Sequence, residues 1–316
     1  LNGIGYELIY KAFGNSQLLD ICTPIILGNP RAAAYHRKLL KDCNVNLFLL
    51  KNYKTLKPGT ANIYPVSSEE YKIELGKVTK VGGQSALESL EHAIQWFKEG
   101  KIDFLVTCPI NKKSINSAGI EFVGHTELLA HHGGVNDYVM MMANKDMRVS
   151  LVTIHIPLKD VPGSISVEKI LKTITITSDY IKRYFGLEKP HLKVCGLNPH
   201  AGEDGIMGHE ETMIDEAIKR AQNNSVDVEG PFPADTLFHR TDCDAFVAMY
   251  HDQGLIPVKT TDFARTINIT LGLPFVRVSP GHGTGYDIAG KGIADPTSLM
   301  EAYRVAEEII SNIQKL

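Results

Sequence analysis

Long apolar runs are missing from this chain of 316 residues. The longest are strand-length, far below the ~20 residues that cross a bilayer, and the start carries no signal-peptide pattern. The expected setting is therefore the cytoplasm, away from any membrane. Excess charge is missing too: a formal net charge of −3 leaves no electrostatic footprint for nucleic acid or an anionic surface. Cysteine is sparse, at five residues (Cys22, Cys43, Cys108, Cys195 and Cys243), an odd number without a C-x-x-C pair. Reduced thiols with packing roles are expected. No repeat, no low-complexity tract and no closely spaced metal motif such as H-E-x-x-H occurs. The sequence starts at Leu1 rather than a methionine, so residues ahead of it are expected to have been removed or left out.

What is present suits a globular α/β protein. A hydrophobic share of 43% can fill a large core, in two domains or one large unit. Strands are expected at residues 24–28, 45–50, 102–107, 139–143, 149–154 and 246–250, and helices at 5–13, 30–41, 84–98, 166–185, 208–222 and 297–313. In the 84–98 helix the apolar positions Leu87, Leu90, Ala93, Ile94 and Phe97 recur at helical spacing, and Gly100 stops it. Residues 51–83 read as an irregular surface excursion. This alternation argues for crossover helices around a mostly parallel sheet.

Three of the apolar runs share one design. Residues 151–154 run into His155, 194–198 lead through a turn to His200, and 246–250 end at His251. Runs apolar at nearly every position suit strands buried on both faces, and ligands of such sheets bind beyond the carboxyl ends of the strands. A single histidine among the twelve present would mean little, because most such rings find ordinary hydrogen-bond partners. Three in the same context point to a metal site, imidazole being the commonest neutral ligand. Zinc is favoured over magnesium for such donors; magnesium, cobalt and manganese are all compatible.

Other loops carry polar groups at the same edge. Cys108-Pro109-Ile110-Asn111-Lys112 follows a strand, and Phe122-Val123-Gly124-His125-Thr126-Glu127 offers an imidazole and a hydroxyl to a phosphate or carboxylate, although His125 alone would suit an ordinary helix start. Asp235, in Pro-Ala-Asp-Thr, is a candidate base whose plainer role is a helix N-cap. Gly3-Ile4-Gly5 invites a dinucleotide reading that Leu8, at the third glycine position, disfavours. The glycine-rich stretch from Pro280 to Gly292 is too long for a simple turn, and loops of that size often carry function.

Asn198-Pro199-His200-Ala201-Gly202-Glu203, His251-Asp252-Gln253-Gly254-Leu255-Ile256-Pro257-Val258-Lys259 and Gly124-His125-Thr126-Glu127 together resemble the 4-hydroxythreonine-4-phosphate dehydrogenase family of pyridoxal phosphate biosynthesis. The segment 282–296 resembles the adenosine-binding loop of the wider isocitrate and isopropylmalate dehydrogenase superfamily. The likeness runs from Gly3 to the closing helix. It departs at the amino-terminal edge, where the family's strand and Gly-Asp pair are absent and Tyr6 stands in place of proline.

The resemblance implies two α/β/α domains, residues 1–125 with 275–316 and residues 126–274, with an interdomain active-site cleft. The second domain would carry the metal ligands and the interface of a homodimer, close to the site. The resemblance puts the ligands of one divalent ion at His155, His200 and His251, and substrate contacts at His125, Thr126, Lys259, Asn268 and Arg277. Lys259 and Arg277 would otherwise read as a solvated lysine and a structural ion pair. It puts NAD contacts at His282, Gly283, Asp287 and Gly290, with Asp287 accepting from the ribose 2′-hydroxyl and repelling a 2′-phosphate. His282 falls on a cofactor contact rather than a fourth ligand.

The reaction so implied is oxidation of the C3 hydroxyl of 4-phosphonooxy-L-threonine by NAD, followed by loss of carbon dioxide to give 3-amino-2-oxopropyl phosphate. Relatives acting on threonate or erythronate phosphates, or on cyclic diols, remain compatible. Outside the family, the same histidines would suit a phosphate-ester hydrolase using metal-bound water, or a non-catalytic metal-dependent binding protein.

Overall fold

The computed structural model describes every residue except 15, 16, 42, 68 and 120–123. Among the described residues the strands are β1 (Ile25–Gly28), β2 (Phe48–Leu49), β3 (Asn62–Pro65), β4 (Phe104–Val106), β5 (Val139–Ala143), β6 (Arg148–Leu151), β7 (Leu192–Cys195), β8 (Val228–Phe232), β9 (Ala245–Ala248), β10 (Ile267–Leu271) and β11 (Val276–Pro280). The chain divides into two compact units, Leu1–Gly134 with Arg277–Glu307, and Val135–Val276 with Glu308–Leu316. No described helix is long and apolar enough to cross a membrane.

In the first unit β3 lies between β1 and β2 with all pairing parallel. The helix Gly5–Phe13 buries Leu8, Ala12 and Phe13 against Ile26 and Ile63 of this sheet. β4 neighbours β11, where the Thr107 N–H donates to the Val278 carbonyl. The stretch 51–83 departs from its irregular reading in two ways: it contains β3, and the helix expected from residue 84 starts at Lys80. Thr79 caps that helix by accepting from the Gly82 N–H. Gly83 is required there because a Cβ would run into the Ser114 backbone. Trp96, rather than Phe97, supplies the helix's last buried side chain.

In the second unit the strands run β10-β5-β6-β9-β7-β8. β5 pairs antiparallel with both neighbours, so the sheet is mixed, while β6, β9, β7 and β8 are mutually parallel. Successive residues face opposite layers, as the pleat requires. Leu192, Val194 and Val247 pack with Ile170, Ile174, Ile181, Ile214 and Ile218 of the helices Val167–Phe185 and Glu211–Asn223. Leu151, Phe246 and Ala248 pack with Leu255 and Val258 of the helix His251–Thr261. Helices cover both faces, which explains strands apolar at nearly every position.

The helix His251–Thr261 lies close on β6 and β9 because position 254 has no side chain. A Cβ on Gly254 would stand 2.7 Å from Leu151 Cδ2 and 2.8 Å from Val149 Cγ1, both on fully buried residues. Gly254→Ala is therefore expected to lower stability by about 1–3 kcal/mol, the usual cost of overpacking. Urea unfolding checks this; an unchanged midpoint would show that the helix is free to lift.

Candidate active site

The three histidine-bearing runs lie side by side in the second unit. β6, β9 and β7 are neighbours in that order and parallel, so His155, His251 and His200 all follow the carboxyl ends of adjacent strands. The His155 and His251 ring centroids stand 5.7 Å apart. Two imidazoles bound to one tetrahedral ion at about 2.1 Å have centroids roughly 5 Å apart, so this pair suits a shared ion. His251 opens its helix, and its Nδ1 lies 2.6 Å from Asp252 Oδ1, a contact that fixes which ring nitrogen remains for a ligand.

His200 sits on an exposed turn of unusual geometry. His200, Ala201, Gly202, Glu203 and Asp204 all have positive φ, from 42° to 79°. Each non-glycine residue there costs on the order of 1–2 kcal/mol, and such strain persists only where the surroundings enforce it. Glu211 enforces it: Oε1 accepts from the Leu197 N–H at 2.9 Å and the Asn198 N–H at 2.7 Å, and Oε2 accepts from Asn198 Nδ2 at 2.9 Å. Gly202 makes room, since a Cβ there would stand 2.6 Å from Glu211 Oε2. The short helix Ala234–Leu237 lies against this turn. Asp235 is exposed in the helix's first turn, and the N-cap position belongs to Pro233, so the capping role expected as its alternative is not the one it has.

Among the described residues no three His, Cys, Asp or Glu side chains stand close enough together to hold an ion. The donor type suits one at two of the three positions: the His155 and His251 rings stand near ligand spacing, and His200 follows the neighbouring strand on its own turn.

Two further residues singled out from the sequence belong to this unit. Asn268, on β10, has a buried Oδ1 with no hydrogen-bond partner among the described residues. An unpaired buried acceptor is costly unless a ligand supplies a donor. Lys259 is half-buried on the helix that His251 opens, and burial lowers its pKa.

In the first unit, His125 and Thr126 begin the helix His125–Gly133, after Gly124; Phe122 and Val123 lie outside the described residues. Thr126 is buried. Burial, and then the positive charges of Arg277 and Lys112, hold the His125 pKa well below its ordinary value, so the ring is neutral at physiological pH. Arg277 is only 2% exposed and donates from Nε and Nη2 to Thr107 Oγ1, at 3.2 and 2.8 Å. Burial lowers its pKa to about 10, opposed by Glu127. Two cations and a helix amino terminus thus surround His125, a setting that suits an anion. Of these groups the sequence points only to the loop that leads to Lys112; Lys112 opens the helix Lys112–Asn116, and Thr107 directly follows β4.

The glycine-rich segment also belongs to the first unit. The Asp287 carboxylate is exposed. His282 Nδ1 lies 3.0 Å from the Gly283 carbonyl, while its buried Nε2 has no partner among the described residues. Gly283 faces open space. Gly290 (φ +78°) is needed by the chain itself, because a Cβ would meet the Leu75 side chain. Glu7 and Lys11 hold the neighbouring backbone: Glu7 Oε1 accepts from the Ala294 N–H, and Lys11 donates to the Gly292 and Ala294 carbonyls. All five cysteines are free thiols.

Comparison with known proteins gives a consistent set of likenesses. Residues 20–306 match the family model described as "Pyridoxal phosphate biosynthetic protein PdxA". The chain is 40% identical over 320 residues to 4-hydroxythreonine-4-phosphate dehydrogenase of Bacteroides thetaiotaomicron, covering 100% of this chain and 88% of that one. It is 38% identical over 313 residues to D-threonate 4-phosphate dehydrogenase of Cupriavidus necator, covering 97% and 94%. The crystal structure of a 4-hydroxythreonine-4-phosphate dehydrogenase from Burkholderia phymatum superposes with a TM-score of 0.81 at 34% identity, covering 97% of this chain and 94% of that chain.

Proposed function

This chain belongs to the pyridoxal phosphate biosynthetic protein PdxA family and is an oxidoreductase, and on that premise we propose that it oxidises and decarboxylates 4-phosphonooxy-L-threonine with NAD. The hydrogen on C3 leaves as hydride to the nicotinamide and the hydroxyl hydrogen leaves as a proton, which makes C3 a ketone, and the resulting β-keto acid releases carbon dioxide. The observation that carries this reading is the departure of His155, His200 and His251 from the carboxyl ends of three adjacent parallel strands. A divalent ion held by these three, zinc being favoured for imidazole donors, would supply Lewis-acid polarisation of the oxygen being oxidised.

The remaining chemistry falls to the chain's own groups. Arg277 and Lys259 supply charge-assisted donors for the phosphate, Arg277 with a planar fork suited to two oxygens. Thr126 and the neutral His125 add hydrogen bonds. Asn268 Oδ1, buried and unpartnered, accepts from a hydroxyl or ammonium of the substrate. Asp235, on the helix beside the His200 turn, is the candidate acceptor of the hydroxyl proton. His282, Gly283, Asp287 and Gly290 form the cofactor's segment, with the unpartnered Nε2 of His282 available to it. Assembly as a homodimer belongs to the same reading.

The likeness to D-threonate 4-phosphate dehydrogenase supports a second reading, in which a 2-hydroxyl replaces the 2-amino group. Following NADH absorbance with the two phosphorylated acids side by side separates them: the first reading expects higher kcat/KM on the amino acid, and the reverse order would establish the second. For the cofactor, Asp287→Ala is expected to weaken NAD binding and narrow the preference over NADP, because the 2′-hydroxyl loses an acceptor and a 2′-phosphate loses a repelling charge. Kd values for both nucleotides check this; an unchanged ratio removes Asp287 from the ribose.

A further inference from the structure

We infer that the cleft at the amino ends of β2 and β3 is a second small-molecule site, built for a small organic anion with an apolar body. The cleft belongs wholly to the first unit and has a volume of about 950 Å³, within the range of small-molecule sites. It is lined by Val45 and Asn46 just before β2, by Thr60 and Ala61 just before β3, and by Tyr10 and Phe13 at the end of the helix Gly5–Phe13. Because β1, β3 and β2 are parallel, this edge lies opposite their carboxyl ends, where the ligands of such sheets ordinarily bind. None of His125, Thr126, His282, Gly283, Asp287 and Gly290 lines it, so it is separate from the substrate and cofactor positions of this unit.

The floor of the cleft is apolar: Phe13 and Ala61 are buried, with Leu40 and Val45 half-buried against them. Leu39 and Ile293 also line it and leave apolar surface exposed. Tyr10 is only 3% exposed, yet its hydroxyl bonds to no described residue. Burial raises its pKa to about 12, against the pull of Arg37, so it keeps a proton to donate. A buried tyrosine hydroxyl ordinarily has a partner, and here the open space is the cleft. Lys41 and Lys291 line the same cleft, are exposed, and pair with no carboxylate among the described residues. Lys11 is not free in this way, being held by Glu7 at 2.9 Å and by the Gly292 and Ala294 carbonyls. A donor hydroxyl and two unpaired ammonium groups over an apolar floor select an anionic head on an apolar body. Water alone would satisfy the hydroxyl and the lysines of an unused groove, but such a groove would not discriminate between anions and neutral compounds of the same shape.

The test is binding of 1-anilinonaphthalene-8-sulfonate, an apolar body with one anionic group, to the whole chain, followed by its fluorescence in the absence of substrate. Benzoate and phenyl phosphate should displace the probe, and benzyl alcohol at the same concentration should not. The double variant Lys41→Glu, Lys291→Glu should bind it at least about fivefold more weakly, because two exposed attractions become repulsions. Leu39→Glu with Ile293→Glu should weaken it at least as much; both positions are exposed, and an unchanged melting temperature checks that the fold holds. Should that pair prove unstable, the lysine pair decides alone. Equal affinity in wild type and the lysine variant would overturn the inference, as would displacement by benzyl alcohol as effective as that by benzoate. Saturating NAD should leave the probe bound, and complete displacement by NAD would assign the cleft to the cofactor and overturn the inference equally. No part of this measurement involves turnover or a metal, so its failure leaves the dehydrogenase reading untouched.

Discussion

His200→Ala is expected to abolish turnover while leaving the core intact. The side chain is exposed on its turn, so its removal opens no cavity and costs little packing. If the ring is one of three ligands, what disappears is stabilisation of charge that develops only as the hydride leaves, and such losses appear in kcat. A fall in kcat of at least about 10²–10³-fold follows from the usual worth of one electrostatic contact to a transition state, and the bound-ion content should fall with it. His200 has φ 54°, a conformation that alanine adopts less readily than histidine. His200→Gly serves as the control that removes the imidazole without that penalty. Steady-state kinetics with excess metal, alongside metal analysis, decide the matter; kcat within a few-fold of wild type would remove His200 from the chemistry.

Arg277→Ala should act on the other kinetic constant. If the guanidinium holds the phosphate, remote from the carbon that is oxidised, the contact is the same in ground and transition states, and its loss raises KM more than it lowers kcat. A charge-assisted pair of this kind is worth roughly 1.5–3 kcal/mol, so kcat/KM should fall about ten- to a hundredfold. The structure adds a second consequence: Arg277 is buried and donates twice to Thr107, so the variant should also be less stable. Arg277→Lys keeps charge without the fork and should fall between. Kinetics with the phosphorylated substrate and an unphosphorylated analogue separate the roles. An unchanged KM, or an equal loss with both compounds, would leave Arg277 a purely structural group.

The parts of the fold legible in the sequence are those set by local rules. The closing helix coincides with Thr297–Ile313, and the run before His251 is a buried strand, because apolar periodicity over one element needs no knowledge of its partners. Where a residue's meaning lies across the chain, the sequence is silent. Gly82 and Gly83 look like loop residues, yet they open a helix because Gly83 meets the Ser114 backbone. Pro231 disguises β8, and β10 follows a helix without a glycine or proline that would announce it. The antiparallel setting of β5 cannot be read from Val139–Ala143, which is buried on both faces as a parallel strand would be. In the site, the histidines stand out because each follows an apolar run. The groups that hold their loops do not: Gln253 reaches Gly196 across 57 positions of sequence, and Glu211 secures a left-handed turn that no propensity foretells.

The account's central claim, metal-dependent oxidation with decarboxylation by NAD, is tested most directly by product accounting. Purified protein is incubated with 4-phosphonooxy-L-threonine and NAD, before and after chelation and after restoring Zn²⁺, while NADH, carbon dioxide and inorganic phosphate are measured together. Equal amounts of NADH and carbon dioxide should form, without inorganic phosphate, ceasing on chelation and returning with the ion. Release of inorganic phosphate without NADH would contradict the account and make the protein a phosphate-ester hydrolase.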